Sequence, residues 1–243
     1  MIRKFFPVLF GLLLCSASAS ATTYGPDSIL QCPGSKSLVR SKNLASGNNA
    51  GRVAWSDGYL FQPFMPRQPI ISRCDQGAYF WVTDAKVLGN LPQDPAKEAK
   101  APKAWREAPY LKSLSPAEYL EALSQNAAKD AKQEGFLRKM AWWSANDAVR
   151  DSKEAKPPSP FASDAAAREN LEALARLQNE KEPPGLLTKA EIYRELGHFD
   201  EALKLLKMKL PEEFHPAQKK IIAWAKNKDV LVRKLFDGKE EKK

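Results

Sequence analysis

Two cysteines in short turn sequences place the strongest constraint on how this chain can fold. Cys32 begins "CPGS" and Cys74 begins "CDQG", and each stretch has the form of one zinc-ribbon knuckle without its second cysteine. A structural zinc site is closed by four ligands, so two thiolates would leave it half coordinated. Two sulfurs of such a site lie about 3.8 Å apart, so a small local adjustment would bring them to the distance of a disulfide bond. The sequence therefore favours a disulfide between Cys32 and Cys74, with a metal site as the alternative.

Residues 1–21 have the pattern of a secretory signal peptide. Arg3 and Lys4 precede an apolar run from Phe5 to Leu14, and small residues then offer an A-x-A cleavage site before Thr22. The run is shorter than the roughly 20 residues that span a bilayer. Cys15 directly follows a leucine, whereas a lipid-attachment site needs a small residue there. We therefore expect a periplasmic or secreted chain without a transmembrane span, in a compartment that permits disulfides.

Positive charge exceeds negative charge in this chain. Removal of the two cations of the leader lowers the formal net charge from +9 to +7. The excess is dispersed, and part of it lies in a charged tail at residues 237–243, which suggests no more than a weak attraction to anionic envelope surfaces. Nucleic acid is not expected as a partner of an exported protein.

Residues 22–91 predict a small antiparallel β module. In "RVAWSDGYLF", aromatic and β-branched residues flank Asp57-Gly58, a favoured two-residue hairpin turn. The runs "PIISRC" and "AYFWVT" predict a second pair of strands. Trp55 beside Asp57 also forms a candidate ligand-binding pair, because an exposed indole next to a carboxylate suits sugars or cations. In the alternative interpretation, Trp55 belongs to the core and Asp57 only shapes the turn.

Residues 92–113 are rich in proline, alanine and lysine and predict a linker. Residues 114–236 then predict six helices and no strands. Ser115, Pro116 and Glu118 form the sequence of a capping box at the first helix. Asp229 is predicted to cap a terminal turn that carries Leu231 and Phe236.

Three further elements lie between residues 30 and 85: S-G-N at 46–48, W-S-D-G at 55–58 and P-x-x-P at 63–66. Together with the two cysteines, they resemble the N-terminal region of uncharacterised bacterial proteins that carry a two-knuckle cysteine ribbon. The resemblance implies a zinc-ribbon-like β fold and brings no known activity. Ser35 and Gly77 stand where those proteins have their second cysteines, so we expect neither a metal nor another cofactor.

The stretch "LLTKAEIYRELGHFDEALKLLKMKL" resembles a tetratricopeptide repeat. The matching repeat-packing residues are Ala190, Tyr193, Gly197, Phe199 and Ala202. A single repeat cannot bury its own apolar face, so neighbouring helices are expected to stack on it. The predicted fold class is thus α+β: a small disulfide-stapled, zinc-ribbon-like antiparallel β module followed by a tetratricopeptide-like α-helical array.

Catalytic motifs are not recognisable in this sequence. The two histidines, His198 and His215, occupy an ordinary turn position and the start of a helix, so the chain is not expected to be an enzyme. The main hypothesis is an exported protein–protein interaction or scaffold protein of the bacterial cell envelope, which would hold its partner on the concave face of the repeat. One alternative is a small-ligand or glycan-binding module that uses Trp55 and Asp57. The other is an envelope enzyme without a known motif.

Overall fold

The computed structural model describes residues 22–74 and 77–237, a mixed α/β structure with small antiparallel sheets. The predicted signal peptide and residues 238–243 of the predicted tail lie outside these ranges. In chain order the strands are β1 (Thr23–Tyr24), β2 (Asp27–Gln31), β3 (Leu38–Ser41), β4 (Leu44–Ser46), β5 (Val53–Trp55), β6 (Leu60–Phe61), β7 (Ile71–Arg73), β8 (Tyr79–Trp81), β9 (Lys86–Leu91) and β10 (Lys234–Asp237). The helices are α1 (Pro95–Glu98), α2 (Lys103–Glu107), α3 (Pro116–Ser124), α4 (Ala131–Arg150), α5 (Ala165–Arg176), α6 (Pro183–Glu195), α7 (Phe199–Leu205) and α8 (His215–Lys226).

The strands pair in the orders β3-β2-β9, β10-β5-β6, β7-β8 and β1-β4. Both predicted hairpins are present. Strands β5 and β6 pair across the Asp57-Gly58 turn, where Gly58 has a φ of 78° that suits glycine. Strands β7 and β8 pair with Ile71 opposite Trp81.

The predicted disulfide is confirmed. Cys32 and Cys74 are bonded, their Cα atoms are 6.2 Å apart, and both side chains are buried with Leu30 and Phe80. The bond ties the β3-β2-β9 sheet to the β7-β8 hairpin. In the turn after each cysteine, a backbone amide donates to the carbonyl of that cysteine. The Ser35 amide donates to the Cys32 carbonyl at 3.3 Å, and the Gly77 amide donates to the Cys74 carbonyl at 2.9 Å.

The prediction that residues 114–236 contain no strand is wrong. Instead of a terminal turn, the chain end forms β10, which pairs antiparallel with β5 and places Lys234 opposite Trp55. Leu235 is buried beneath this strand while its neighbour Phe236 is exposed, as alternation in a strand requires. The last strand of the helical half therefore completes a sheet of the β half.

Residues 92–113 are not a free linker. They contain helices α1 and α2 and then run alongside β3. There the Arg40 amide donates to the Pro109 carbonyl at 2.7 Å, and the Arg40 carbonyl accepts from the Leu111 amide at 2.8 Å. The Trp105 ring lies so close to Gly89 that a Cβ atom there would be 2.6 Å from it. This segment is thus packed onto the β3-β2-β9 sheet.

The helices follow the predicted pattern closely. The capping box of α3 is present, with the Ser115 amide 2.8 Å from a Glu118 carboxylate oxygen and the Glu118 amide 3.3 Å from the Ser115 hydroxyl. Consecutive helices from α3 to α8 contact one another. None of the helices in the described ranges is long and apolar enough to cross a membrane.

One hydrophobic core joins strands and helices. Ile71 and Trp81, from the β7-β8 hairpin, pack with Leu114, Tyr119 and Leu137 from the helical half. The strands and helices on either side of residues 92–113 therefore share one core. The reason is that α4 is 20 residues long and packs against both halves.

Candidate functional site

The W-S-D-G turn lies where the two halves of the chain meet. The Ser56 amide donates to the Arg233 carbonyl at 2.8 Å, and the Arg233 amide donates to the Ser56 hydroxyl at 2.9 Å. From α4, the Trp143 indole donates to the Asp57 carbonyl at 2.9 Å. The turn is therefore held by both α4 and the chain before β10.

The Asp57 carboxylate points into the protein and not toward solvent. Its side chain is 0% exposed and forms an ion pair with Arg150, whose side chain is 5% exposed. It also accepts from the Asn146 amide group at 3.0 Å and from the Tyr59 amide at 3.0 Å. Trp55 is half-buried, with the Arg150 and Lys234 cations over its ring at 5.5 and 5.7 Å. The predicted ligand pair of Trp55 and Asp57 is thus not an open site, because protein groups already satisfy the carboxylate.

Asp57 belongs to a buried polar network that extends through the helices. The Asn146 amide group also donates to Glu195 at 3.1 Å, and the Trp142 indole donates to the same carboxylate oxygen at 2.7 Å. One turn earlier in α6, Glu191 pairs with Arg194 at 2.5 Å. We call this set the buried polar network; its members are Asp57, Asn146, Arg150, Glu191, Arg194 and Glu195.

Carboxylates outnumber cations in the buried polar network. Three carboxyl groups lie among two guanidinium groups, all withdrawn from solvent. Burial raises the pKa of Asp57 to about 6, although the Arg150 cation opposes the rise. Burial, and then the Glu191 charge, raise the pKa of Glu195 well above its ordinary value. The buried surroundings therefore favour the protonated form of Glu195, in which the excess of negative charge is smaller.

A second feature is an exposed apolar segment directly after the hairpin turn. We call residues 60–70, "LFQPFMPRQPI", the proline segment. It contains three prolines, and five of its large apolar side chains are exposed. These side chains are Leu60, Phe61, Phe64, Met65 and Ile70.

The proline segment is held in place by the other motifs of the β half. A Cβ atom at Gly47 would lie 2.2 Å from the Phe64 carbonyl oxygen, so only glycine permits this approach. The Thr22 hydroxyl donates to the same oxygen at 2.8 Å, and Gln62 donates to the Asn49 side chain at 2.7 Å. The S-G-N and P-x-x-P elements, separate in sequence, thus form one structural unit.

Cations and aromatic rings alternate beside the hairpin. The Arg67 guanidinium lies over the rings of Tyr59 and Trp143, at 4.3 and 5.0 Å from their centroids. The Arg150 guanidinium lies 4.4 Å from the centroid of the same Tyr59 ring. Cations in such positions are attracted to the negative face of the ring. The full stack is Lys139, Trp143, Arg67, Tyr59, Arg150, Trp55 and Lys234.

The predicted repeat-packing residues lie in the α6–α7 hairpin. Ala190 and Ala202 are 0% exposed, Gly197 connects the two helices with a φ of 82°, and Tyr193 and Phe199 are half-buried. This arrangement agrees with small residues at a close crossing. The tetratricopeptide-like architecture of the whole array stays a prediction.

The histidines, the cysteines and the acidic side chains are the groups that could hold a metal or act in catalysis. Within the described ranges, no cluster of three or more histidine, cysteine, aspartate and glutamate side chains is arranged for a metal ion. His215 is hydrogen-bonded to the Leu210 carbonyl at 2.8 Å, and His198 packs near the Tyr193 ring. The disulfide leaves neither Cys32 nor Cys74 as a free thiol.

The exposed apolar residues and the buried partners of Asp57 were not recognised from the sequence. Prolines suit neither a strand interior nor a helix. Apolar side chains placed between prolines could therefore have indicated the proline segment. Asn146 and Arg150 follow Trp142 at intervals of four on α4, which puts polar groups on an apolar face and could have indicated the network.

Comparison of the chain with protein-family models, with curated proteins and with solved structures finds no match. The two resemblances drawn from sequence motifs therefore stay predictions.

Proposed function

We propose that this chain is an exported protein of the bacterial cell envelope that acts by binding another protein through its proline segment. The observation that carries the proposal is the exposure of five large apolar side chains within residues 60–70. Several exposed apolar side chains within one short segment are typical of interaction surfaces. Burial of one such side chain by a partner contributes about 1.5–3 kcal/mol.

The segment is suited to binding because it is fixed before a partner arrives. Pro63, Pro66 and Pro69 restrict its backbone, and contacts from Thr22 and Gly47 hold its middle. A surface that is already ordered loses less conformational entropy on association. Its first residues also form β6, the edge strand of the β10-β5-β6 sheet, which offers backbone groups to an extended partner chain.

The proposal places the docking surface on the β half, whereas the sequence suggested the helical half. Of the exposed large apolar residues in 114–236, Leu177 and Met208 lie far apart in the chain, at or just after helix ends, and Phe236 lies on β10, in the same sheet as β6. The apolar faces of α5, α6 and α8 are covered by one another and by α4 and α7.

An extracytoplasmic location is supported by the disulfide. Disulfides persist in oxidising compartments such as the periplasm and are rare in reducing ones. The signal-peptide pattern of residues 1–21 supports the same location.

The proposal is tested by affinity capture from envelope extract with the purified, oxidised chain. The variant carries Phe61→Ser and Phe64→Ser, and the matched control carries Val87→Ser and Met208→Ser, at residues that are at least as exposed but lie elsewhere. We expect wild type and control to retain the same partner protein, and the variant to retain at least about tenfold less of it, the equivalent of 1.4 kcal/mol. Equal retention by all three proteins, or no specific partner with wild type, contradicts the proposal. Matching melting temperatures establish that the variants are folded.

A further inference from the structure

A small cleft lies at the C-terminal end of the proline segment, and of the five exposed apolar residues proposed for docking only Ile70 lines it. Its volume is about 180 Å³, and it is bounded by residues 67–71, residues 113–114 and helices α3 and α4. Apolar side chains form its floor, and polar groups, including the Arg67 guanidinium and the Gln68 amide, lie at its rim. The floor residues are Ile71, Leu114, Phe136 and Met140.

Arg67 is positioned at this rim without a carboxylate partner. Its guanidinium is attracted to the Tyr59 and Trp143 rings and lies 3.7 Å from the Met140 sulfur. In the part of the chain that the structure describes, no aspartate or glutamate forms an ion pair with it, whereas exposed Arg73 and Arg233 both have such partners. A guanidinium carries five N–H donors, and the contacts of Arg67 with ring faces and a sulfur leave most of them available.

Asp147 is the acidic residue that lines the cleft, and it shares a cation with Asp57. Its carboxylate accepts from Arg150 at 2.7 Å, and the same guanidinium pairs with Asp57. Arg67, next to the apolar floor, is therefore the lining cation that no carboxylate of the described ranges engages in an ion pair. A ligand that complements both features has one anionic end and one apolar end.

We propose that this cleft binds a small monocarboxylate with an apolar body, whose carboxylate is held by Arg67. An apolar cavity of about 150 Å³ holds one benzene molecule. The cleft therefore accepts a body the size of one aromatic ring or one branched aliphatic side chain. A free organic acid and the C-terminal residue of a peptide both present this chemistry.

Binding to the purified chain is measured by ligand-observed NMR and calorimetry. The probes are benzoate, 4-methylpentanoate, and an N-acetylated tripeptide ending in leucine with a free carboxylate. Benzyl alcohol, 4-methylpentanol and the N-acetylated tripeptide amide are their uncharged counterparts. We expect the acids to bind with a dissociation constant of about 1 mM and the uncharged counterparts to bind at least about tenfold more weakly, because a hydrogen bond to a charged group is lost.

Arg67→Gln should weaken acid binding at least about tenfold, and Arg67→Lys should weaken it less because the charge remains. Arg73→Gln, an exposed arginine outside the cleft, should leave binding unchanged. Binding of the free acids alone identifies a small-molecule site, and binding of the peptide acid alone identifies a C-terminus site; both outcomes support the proposal. Absence of binding at about 10 mM, or binding that is insensitive to Arg67→Gln or to loss of the carboxylate, overturns it. Because no partner protein is present, the result is separate from that of the docking proposal.

Discussion

Replacement of Arg150 with methionine removes the cation that faces Asp57 in the buried polar network. Methionine fills similar apolar space but leaves Asp57 without its cation. The arginine also donates to the Trp143 carbonyl at 2.7 Å, and this buried acceptor loses its charged donor. We expect these losses to lower the free energy of unfolding by about 1–3 kcal/mol at pH 5–6.

The pH dependence of this variant is the sharper prediction. In the wild-type chain, burial raises the pKa of Asp57 from 3.8 to about 6. The folded protein therefore holds this proton more tightly than the unfolded chain, and the resulting contribution to the unfolding free energy is lost as the pH rises from 3.8 to about 6. At pH 7 the wild-type carboxyl is ionised and paired with Arg150. Without that cation, burial keeps Asp57 protonated to higher pH. The folded variant then binds one more proton than its unfolded chain above pH 6.

The variant should consequently lose about 1.4 kcal/mol of unfolding free energy per pH unit above pH 6, relative to wild type. Urea denaturation followed by tryptophan fluorescence at pH 5, 6, 7 and 8 measures this difference. The control is Lys129→Met, which removes the cation from an exposed ion pair with Asp84 and should cost no more than about 1 kcal/mol at every pH. Parallel pH profiles of wild type and Arg150→Met would show that Asp57 does not depend on Arg150.

Three further substitutions test other parts of the structure. Cys32→Ser should cost about 3–4 kcal/mol in the chain-entropy model and should lower the melting temperature of strands and helices together, since they share one core; helices that melt unchanged by circular dichroism would contradict this. Ala202→Leu should overpack the α6–α7 crossing and cost about 1–3 kcal/mol, whereas an unchanged melting temperature would place Ala202 at the surface. Gly47→Ala should displace the Phe64 carbonyl and reduce partner capture with little loss of helix content, and undiminished capture would show that this contact does not fix the segment.

Sequence reasoning was accurate where local chemistry determines the structure. The Asp57-Gly58 turn, the capping box at Ser115 and the turn at Gly197 each depend on a few neighbouring residues, and all three are present. The disulfide followed from two cysteines in a chain that carries the pattern of a signal peptide. The turn and capping features need no knowledge of distant partners.

Features that depend on distant residues were missed for a physical reason. The four residues of β10 carry too short a pattern to indicate a strand, and their pairing with β5 spans most of the chain. Arg150 and Glu195 have charged side chains in helical sequence, where solvent exposure is the usual outcome. Their burial arises because Asp57 and Asn146 reach them from other elements, 93 residues away in the case of Asp57 and Arg150.

Site-specific photo-crosslinking in cells that produce the chain is the most direct measurement of the proposed docking surface. A photoreactive residue is placed at Leu60, Phe61, Phe64 or Met65 in the proline segment, and at Val87 and Met208 as controls that are at least as exposed. We expect several positions of the proline segment to crosslink to one and the same envelope protein and the controls to give no such crosslink. Crosslinks that are equal at all six positions, that join two copies of this chain, or that occur at the controls alone would contradict this expectation.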